Sequence, residues 1–381
     1  MKICYISYVK FGAGRWVHTS QFVAALQGMH DNLIVHTPLA NLDRSAIKDK
    51  SIARKTKSNL RELRLLVGMF GRRLWKEFRL LRAERPDVVI LRRERYLSAV
   101  LLCKLLRIPI ILEVNAPFLE DQFSPKEQQL RGKIFWQWLE KQILSLPNHI
   151  MLVSEELKQY YILSGISLQK MTCVPNGVEI DSFTPTVKGD KVRDKFGLKD
   201  KVVIGFSGNF APWHGLDFLA DTMRIIYKSG KFENIALFLV GRPGTQIVMP
   251  ELPDEITVVT GRVNYAEMPE YLAAIDIFVA PYPPIEPFYF SPLKIFEAMS
   301  MGTPVIASAQ GQICELITDQ HNGILYPPGD RDALRNGIER LIIEKEQRAK
   351  FGANARKTIE ENFTWKDNAQ RMLELCRQVV C

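Results

Sequence analysis

The chain has 381 residues, of which 46% are hydrophobic and 24% are charged, and its net charge is +9. This length predicts two domains, and the composition is that of a folded globular protein. No apolar run reaches the ~18 residues that a membrane-spanning helix needs, and the first residues do not have the pattern of a signal peptide.

The positive charge is concentrated in one segment. Between Arg44 and Arg95 there are 17 Lys and Arg residues against 6 Asp and Glu residues, so the rest of the chain is slightly negative. Such local basicity indicates one surface that faces an anionic partner. The 6 cysteines are scattered, without the spacing of metal or redox sites. We therefore expect reduced thiols and a cytoplasmic protein.

Short apolar strands alternate with longer helical segments along almost the whole chain. This alternation predicts an α/β protein with parallel, doubly wound sheets. Strands are predicted at residues 2–7, 33–37, 88–91, 108–114, 149–154 and 171–175, and again at 202–207, 235–240, 256–260, 275–281 and 305–308. Helices at 331–343, 346–360 and 365–379 follow.

The alternation pauses at residues 184–200, which are polar and contain Pro185, Gly189 and Gly197. We predict a Rossmann-like domain at 1–183, a linker at 184–200 and a second Rossmann-like domain at 201–360. Residues 361–381 are predicted to form a helix that packs back toward the first domain. Two such domains are expected to face a central cleft, where this topology binds ligands.

The first turn connects a strand with a helix and contains Gly12 and Gly14. These glycines let a phosphate approach the backbone at a helix N-terminus; a tight turn without a ligand is the alternative. A dinucleotide fingerprint needs a third glycine where Val17 stands, and an acidic residue where His36 ends the second strand. The sequence therefore disfavours an NAD enzyme.

The most informative segment is residues 282–308, YPPIEPFYFSPLKIFEAMSMGTPVIAS. Ser291 as N-cap, followed by Pro292, predicts a helix whose first N–H groups, at Leu293 and beyond, bind an anion. Lys294 lies in the first turn, where a cation opposes the helix dipole unless an anion binds. Glu297 lies on the same face. A nucleotide diphosphate suits this pair, with Lys294 at the phosphates and Glu297 at the ribose; solvated surface charges are the alternative.

This segment resembles the donor-binding signature of the family 4 retaining glycosyltransferases, which have the GT-B fold. Residues 174–178 and 183–185 resemble the family's crossover between domains, and 261–263 resemble its base-side loop. Residues 315–330 and 363–365 resemble its C-terminal motifs. The resemblance implies transfer of a sugar from a nucleotide-diphosphate donor to an acceptor hydroxyl with retention of configuration, and it requires no cofactor.

Some positions depart from the family pattern. The family has two glutamates separated by seven residues; Glu297 matches the second, but Tyr289 stands at the first, with Glu286 three residues earlier. An arginine and a lysine that hold the diphosphate are replaced by Asn209 and His214. Lys294 is interpreted as the compensating cation, as in a subgroup with a WHG turn and an SPLK helix. A non-catalytic sugar-nucleotide binder is the alternative.

The resemblance and the residues together give the predicted site. The predicted catalytic residues are Lys294, with Glu113 and Asn115 at the end of a strand in the first domain; a solvent-facing carboxylate is the alternative for Glu113. His18 is predicted to be structural. The predicted donor-binding residues are Gly12, Gly14, Gly208, Asn209, His214, Arg242, Arg262, Val263, Ser291, Pro292, Leu293 and Glu297.

Two further expectations concern metals and partners. Asp330 and Asp332 spell a metal-binding D-x-D motif, but Asp330 opens a helix and is predicted to be its N-cap, so no catalytic metal is expected. The segment from Arg54 to Arg85 is basic and amphipathic, which predicts docking on an anionic membrane; ordinary surface helices are the alternative. The family resemblance implies that this membrane surface is the inner face. The resemblance implies that the acceptor is a glycan or a lipid-linked molecule. No nucleic acid is expected as a partner.

Overall fold

The computed structural model describes residues 1–9, 14–37, 59–92, 98–117, 133–242 and 251–380. Their contacts form two compact units. The first unit comprises Met1–Val153, Leu157–Val174 and the residues from Ala369 onward, and the second comprises Ser154–Glu156 and Pro175–Asn368.

The first unit contains a six-stranded parallel sheet in the order β2-β1-β3-β4-β5-β6. Its strands are β1 (Ile3–Ile6), β2 (Leu33–His36), β3 (Val88–Arg92), β4 (Ile110–Val114), β5 (His149–Leu152) and β6 (Met171–Cys173). The helices between them are α1 (Gly14–Met29), α2 (Asn59–Glu84), α3 (Ser98–Leu106), α4 (Lys133–Ser145) and α5 (Glu155–Leu163).

The second unit contains another six-stranded parallel sheet, in the order β12-β11-β10-β7-β8-β9. Its strands are β7 (Val202–Ser207), β8 (Ile235–Val240), β9 (Thr257–Val259), β10 (Ile277–Ala280), β11 (Val305–Ser308) and β12 (Gly323–Tyr326). The helices from this point of the chain are α6 (Asp190–Phe196), α7 (Leu216–Lys228), α8 (Met268–Leu272), α9 (Leu293–Ser300), α10 (Ile313–Leu316), α11 (Arg331–Ile343), α12 (Lys345–Asn362) and α13 (Trp365–Val380).

The second sheet is buried on both faces, which explains its nearly continuous apolar strands. On one face Val203 and Phe238 lie in one hydrophobic cluster. On the other face Ile204 and Leu237 lie in a second cluster. The strand order reverses between β7 and β10. This is the switch point at which doubly wound sheets bind ligands, at the carboxyl ends of the strands.

The predicted fold class is confirmed: each unit is a Rossmann-like α/β unit with a parallel sheet. The predicted linker at 184–200 differs from the structure, because this segment contains α6 and belongs to the second unit. Its apolar residues explain the difference, since Val192 and Leu198 are buried in the core of that unit. Within the described ranges, no helix combines the length and the apolar character required to cross a membrane.

Candidate active site

Lys294 lies in the first turn of α9, beside the switch point of the second sheet. Its Nζ atom is enclosed and has no hydrogen-bond partner among the described residues. The atom lies 4.1 Å from the centre of the Phe206 ring and 5.6 Å from that of Tyr282. These rings stabilise a cation through their π faces but offer it no acceptor. The acceptor for this amine is therefore expected to be a ligand.

Gly208 follows β7 and forms the wall beside this amine. A Cβ atom at this position would lie 3.0 Å from Lys294 Nζ, and the residue has a φ of +127° that favours glycine. Gly208 and Asn209 are exposed, whereas Phe206 is buried. The chain thus presents bare backbone at the end of β7, next to the enclosed amine.

Glu297 lies one turn after Lys294 on α9 and is 7% exposed. Tyr265 donates a hydrogen bond to its carboxylate. Burial raises the pKa of Glu297 to about 7, against the opposing effects of Tyr265 and Lys294. Burial also lowers the pKa of Lys294 to about 7, and Glu297 offsets only part of this effect. The structure therefore brings the two predicted residues together, but as two poorly solvated groups rather than as solvated surface charges.

His214 belongs to the WHG turn and lies on the same side of the sheet. Its Nδ1 atom is 2.7 Å from the carbonyl oxygen of Asn209, and the ring packs against Phe206 and Tyr282. Burial, and then Lys294, lower the pKa of His214 to about 2. The ring is therefore neutral, donates from Nδ1 to the carbonyl, and leaves Nε2 as an acceptor. His214 consequently does not replace the cation that the family has at this position.

Gly215 fixes the WHG turn against the end of β10. Its φ is +69°, and a Cβ atom there would lie 1.8 Å from the carbonyl oxygen of Pro281. Any other residue would push the turn away from β10, because backbone atoms cannot yield as side-chain ends do.

The start of α9 differs in detail from the prediction. Ser291 is not the N-cap; Pro292 is, and no side chain caps the helix. The Ser291 hydroxyl instead accepts a hydrogen bond of 2.9 Å from the Asn176 N–H, and its carbonyl accepts one of 2.6 Å from the Asn176 side chain. The serine is therefore used to attach the crossover segment, and the first N–H groups, at Leu293 and Lys294, have no side-chain cap.

Gln310, which follows β11, organises the loop between β10 and α9. Its Nε2 donates to the carbonyl of Pro283 at 2.9 Å, to that of Tyr282 at 3.3 Å and to the Ser308 hydroxyl at 2.8 Å. Its Oε1 accepts from the Ile285 N–H at 3.1 Å. Gln310 is not predicted from the sequence, because a single polar residue after a strand has no distinctive pattern.

The two candidates for the family's first glutamate position differ in exposure. Tyr289 is 3% exposed, and its carbonyl accepts a hydrogen bond of 2.9 Å from the Ser154 hydroxyl. Glu286 is exposed on the same loop. Tyr289 therefore contributes packing at this position, and Glu286 is the only carboxylate of the loop 281–292.

Three other predicted donor-binding residues follow the strands next to β7. Arg242 follows β8, and Arg262 and Val263 follow β9. Both arginine side chains are exposed, and Val263 packs against the core. Since β7, β8 and β9 are neighbours, these residues lie along the same carboxyl edge of the sheet as Gly208.

In the first unit, Glu113 is the centre of a buried polar network. Its carboxylate accepts hydrogen bonds from Tyr5 at 2.9 Å and from Arg92, and it lies 2.7 Å from His18 Nε2. All four side chains are at most 5% exposed. Burial alone would raise the pKa of Glu113, but Arg92 and His18 lower it to about 2. The predicted alternative, a solvent-facing Glu113, is wrong, because three strands and α1 enclose the carboxylate.

Four further residues named in the sequence analysis belong to the first part of the chain. Asn115 follows β4 and is partly buried. Gly14 is the first residue of α1, and Gly12 lies outside the described residues. His18 is buried against Phe22 and bonded within the network, which agrees with its predicted structural role.

Asp330 is the N-cap of α11, as predicted. Its carboxylate accepts a hydrogen bond of 2.9 Å from the Ala333 N–H. Among the residues that the structure describes, no group of three or more His, Cys, Asp or Glu side chains is arranged to hold a metal ion.

Two family models match the chain. The family model for "Glycosyltransferase Family 4" matches residues 14–182, and that for "Glycosyl transferases group 1" matches residues 201–344. Together these two models cover most of both units.

Individual relatives are distant. An uncharacterized glycosyltransferase of Methanocaldococcus jannaschii is 24% identical over 69% of this chain and 65% of its own length. A GDP-mannose-dependent mannosyltransferase of Corynebacterium glutamicum, which acts on a monoacylated phosphatidylinositol monomannoside, is 27% identical over 53% of this chain and 55% of its own length. The chain thus matches less than two thirds of these curated relatives.

Solved structures show the same fold over the whole chain. The HepE protein of Anabaena in complex with UDP superimposes with a TM-score of 0.72 and 18% identity, covering 99% of this chain and 100% of that one. With one family model on each unit and this agreement of fold, the chain belongs to the family 4 glycosyltransferases and has the GT-B fold.

Proposed function

We propose that the protein transfers a sugar from a nucleotide-diphosphate donor to an acceptor hydroxyl, with retention of the anomeric configuration. The enclosed amine of Lys294, at the switch point and with no acceptor among the described residues, is the observation that carries this proposal. An anionic group is the ligand that such an amine binds most favourably. The UDP complex of the HepE structure supports a nucleotide as the source of that group.

The predicted site residues of the second unit each have a role in this proposal. Lys294 and the N-terminus of α9 stabilise the charge that develops on the departing diphosphate. Glu297 accepts hydrogen bonds from the ribose hydroxyls. The exposed Arg242 and Arg262, with Val263, lie where the remainder of the nucleotide extends along the sheet edge. The backbone of Gly208 and Asn209 lines the diphosphate, and His214 supports this backbone by donating from Nδ1 to the Asn209 carbonyl.

The chemical step requires no protein nucleophile. The bond between the anomeric carbon and the phosphate oxygen breaks, and its electron pair goes to the diphosphate. The acceptor hydroxyl attacks the same face of the sugar and gives its proton to the departing phosphate. We assign the acceptor side to the first unit, where Asn115 contacts the acceptor and Glu113 positions the end of β4 through Arg92 and His18. No metal or other cofactor takes part.

A panel of UDP-, GDP-, ADP- and dTDP-sugars tests the function. We expect one donor to release its nucleoside diphosphate when a glycan or lipid-linked acceptor is present, and proton NMR of the product to show the anomeric configuration of the donor. An inverted product would contradict the retaining mechanism. Binding without release for every acceptor would support the alternative, a non-catalytic sugar-nucleotide binder. Absence of binding for every donor would reject the proposal.

We further propose that the first unit docks on an anionic membrane surface through α2 and α3, which pack together. Trp75 on α2 is 60% exposed, and Leu101 and Leu105 on α3 are 53% and 75% exposed. The exposed basic residues on these two helices and just after α3 are Lys76, Arg79, Arg82, Lys104 and Arg107. Apolar and basic side chains on one surface are typical of interfacial binding, at ~1 kcal/mol for each cation.

The described part of the basic segment forms one 26-residue helix, α2. Not every cation on it is free for a membrane, since Arg73 is bonded to Glu77 at 3.1 Å and lies over the Tyr8 ring. The residues from Arg54 to the start of α2 lie outside the described residues. The lipid acceptor named for the Corynebacterium relative supports a membrane-associated acceptor here.

Co-sedimentation with liposomes tests this docking. We expect binding to vesicles with anionic lipid at low salt, and loss of binding at high salt or on neutral vesicles. The variant Lys76→Glu/Arg79→Glu should bind less, whereas Lys366→Glu, an exposed control on α13, should bind as the wild type does. Binding that ignores lipid charge and salt would contradict electrostatic docking.

A further inference from the structure

The groups that face Lys294 do not neutralise a positive charge. Tyr282 and Phe206 present rings, and burial raises the pKa of Tyr282, so its hydroxyl stays protonated. His214 is neutral and is bonded to the Asn209 carbonyl. Gly208 presents only backbone. Apart from Glu297, the described groups around the enclosed Nζ atom are therefore aromatic rings, a neutral imidazole and backbone.

Within the described part of the chain, Glu297 is the carboxylate whose charge acts on this amine, and it is already engaged. Its hydrogen bond comes from Tyr265, and no bond joins it to Lys294 Nζ. Burial penalises the charged form of each group, and for Lys294 this effect exceeds the attraction of Glu297. In the protein alone, burial thus favours the neutral amine of Lys294, and Asn209 and His214 stand where the family has an arginine and a lysine.

We propose that Lys294 takes up a proton when the donor diphosphate binds, so that the charge that holds the donor is created by binding itself. This inference rests on the proposed function. The diphosphate places negative charge and acceptor oxygens against the enclosed Nζ, which favours the ammonium form. The proton comes from the solvent, and it returns to the solvent when the nucleoside diphosphate leaves.

The proposal makes donor affinity depend on pH in a defined direction. A group whose pKa is about 7 is about nine-tenths deprotonated at pH 8, so binding there takes up nearly one proton. Above pH 8 each further pH unit weakens the affinity for the donor about tenfold, because the Lys294 amine must be protonated as the donor binds. Glu297 does not mask this effect at pH 8, since its pKa of about 7 leaves it largely ionised before binding.

Calorimetric titration with UDP, GDP and ADP at pH 8, in Hepes and in Tris, measures the uptake directly. The two buffers differ in ionisation enthalpy, so the difference between the binding heats in Hepes and in Tris gives the number of protons taken up per nucleotide. The phosphates of these ligands are themselves ionised at this pH, because their second pKa is about 6. The wild type should take up close to one proton per nucleotide, and its Kd should rise about tenfold from pH 8 to 9.

Two variants and one control attribute the proton. Lys294→Arg carries a permanent charge, so it should take up no proton on binding, and its Kd should change less than twofold between pH 8 and 9. Lys294→Met has a similar length and no charge; it should bind more weakly at pH 6 and take up none. The exposed control Lys366→Arg should behave as the wild type does.

Nucleotide binding by the wild type without proton uptake, or equal proton uptake by Lys294→Met, would overturn the inference and leave the proposed function standing. Absence of binding to all three nucleotides would reject the function, and the inference with it.

Discussion

An enclosed lysine amine without an acceptor raises the free energy of the protein alone, because burial removes the hydration of its charge. Lys294 lies in this situation at the start of α9. Its place in the helix also disfavours the charged form, since a cation in the first turn opposes the dipole. Both costs are offset when a diphosphate binds, so we regard Lys294 as a residue retained for its ligand rather than for stability.

Removing this amine should reduce turnover far more than it reduces stability. We expect Lys294→Ala to lower kcat by about 10²–10³-fold, the scale for the loss of one charge stabiliser. Its melting temperature should stay within a few degrees of the wild type. Steady-state kinetics and thermal unfolding measure the two effects, with Lys366→Ala as the exposed control. Turnover near that of the wild type would show that another residue holds the phosphate.

Glu113 illustrates the opposite case, a charge that is fully compensated inside the protein. We expect Arg92→Ala to destabilise the first unit by about 3–5 kcal/mol, because it leaves a buried carboxylate without its charged partner. Urea unfolding measures this change, and Arg377→Ala, exposed on α13, should change stability by less than about 0.5 kcal/mol. A small effect of Arg92→Ala would mean that Tyr5 and His18 suffice to hold the carboxylate.

At the scale of elements, the loop between β10 and α9 depends on a side chain from outside it. Gln310 holds the carbonyls of Tyr282 and Pro283 and the N–H of Ile285. These hydrogen bonds hold the loop in a conformation in which the Tyr282 ring lies beside Lys294. Glu286 belongs to the same loop. Gln310 is therefore a positioning residue for the donor site, although we assign it no contact with the donor.

Loss of these hydrogen bonds should loosen the loop and weaken donor binding. We expect Gln310→Ala to raise the donor KM about tenfold, equivalent to one or two net hydrogen bonds. Hydrogen exchange should show faster exchange of the Ile285 amide. Gln310→Glu keeps the acceptor for that amide but loses the donors to the two carbonyls, so its amide should stay protected while KM still rises. An unchanged KM in both variants would contradict the positioning role.

The cap of α11 is a second element with a testable assignment. We expect Asp330→Ala to lower the free energy of unfolding by about 1 kcal/mol, whereas Asp330→Asn should be nearly neutral because Asn caps helices equally well. Transferase activity should be unchanged in both variants and in EDTA, since we predict no catalytic metal. Activity lost in EDTA and restored by Mg²⁺ or Mn²⁺ would contradict that prediction.

At the scale of the whole molecule, the sequence was most informative where patterning decides structure. All eleven predicted strands are present, because apolar β-branched runs between helical segments are distinctive in doubly wound proteins. The twelfth strand, β12, was missed: its four residues begin with a glycine, and its apolar run is too short to show a period. The linker prediction failed for a related reason, since the buried Val192 and Leu198 stand among charged residues.

The candidate site was predictable only in part. Lys294, Glu297 and His214 were found because they belong to motifs. The surroundings of Lys294 and Glu297 were not, because Phe206 and Tyr265 lie far from these two residues in sequence, and the order of the strands brings them together. Ser291 shows a further limit. The sequence pattern predicts a cap, but the Asn176 N–H, 115 residues away, uses the hydroxyl instead.

The central claim is that the phosphates of a nucleotide donor bind at Lys294 and the N-terminus of α9. A crystal structure of the protein with the nucleoside diphosphate that it releases tests this most directly. We predict a phosphate oxygen within about 2.7–2.9 Å of Lys294 Nζ, further phosphate oxygens at the first N–H groups of α9, and ribose hydroxyls at Glu297. A nucleotide bound elsewhere, or one whose phosphates point away from Lys294, would contradict the account.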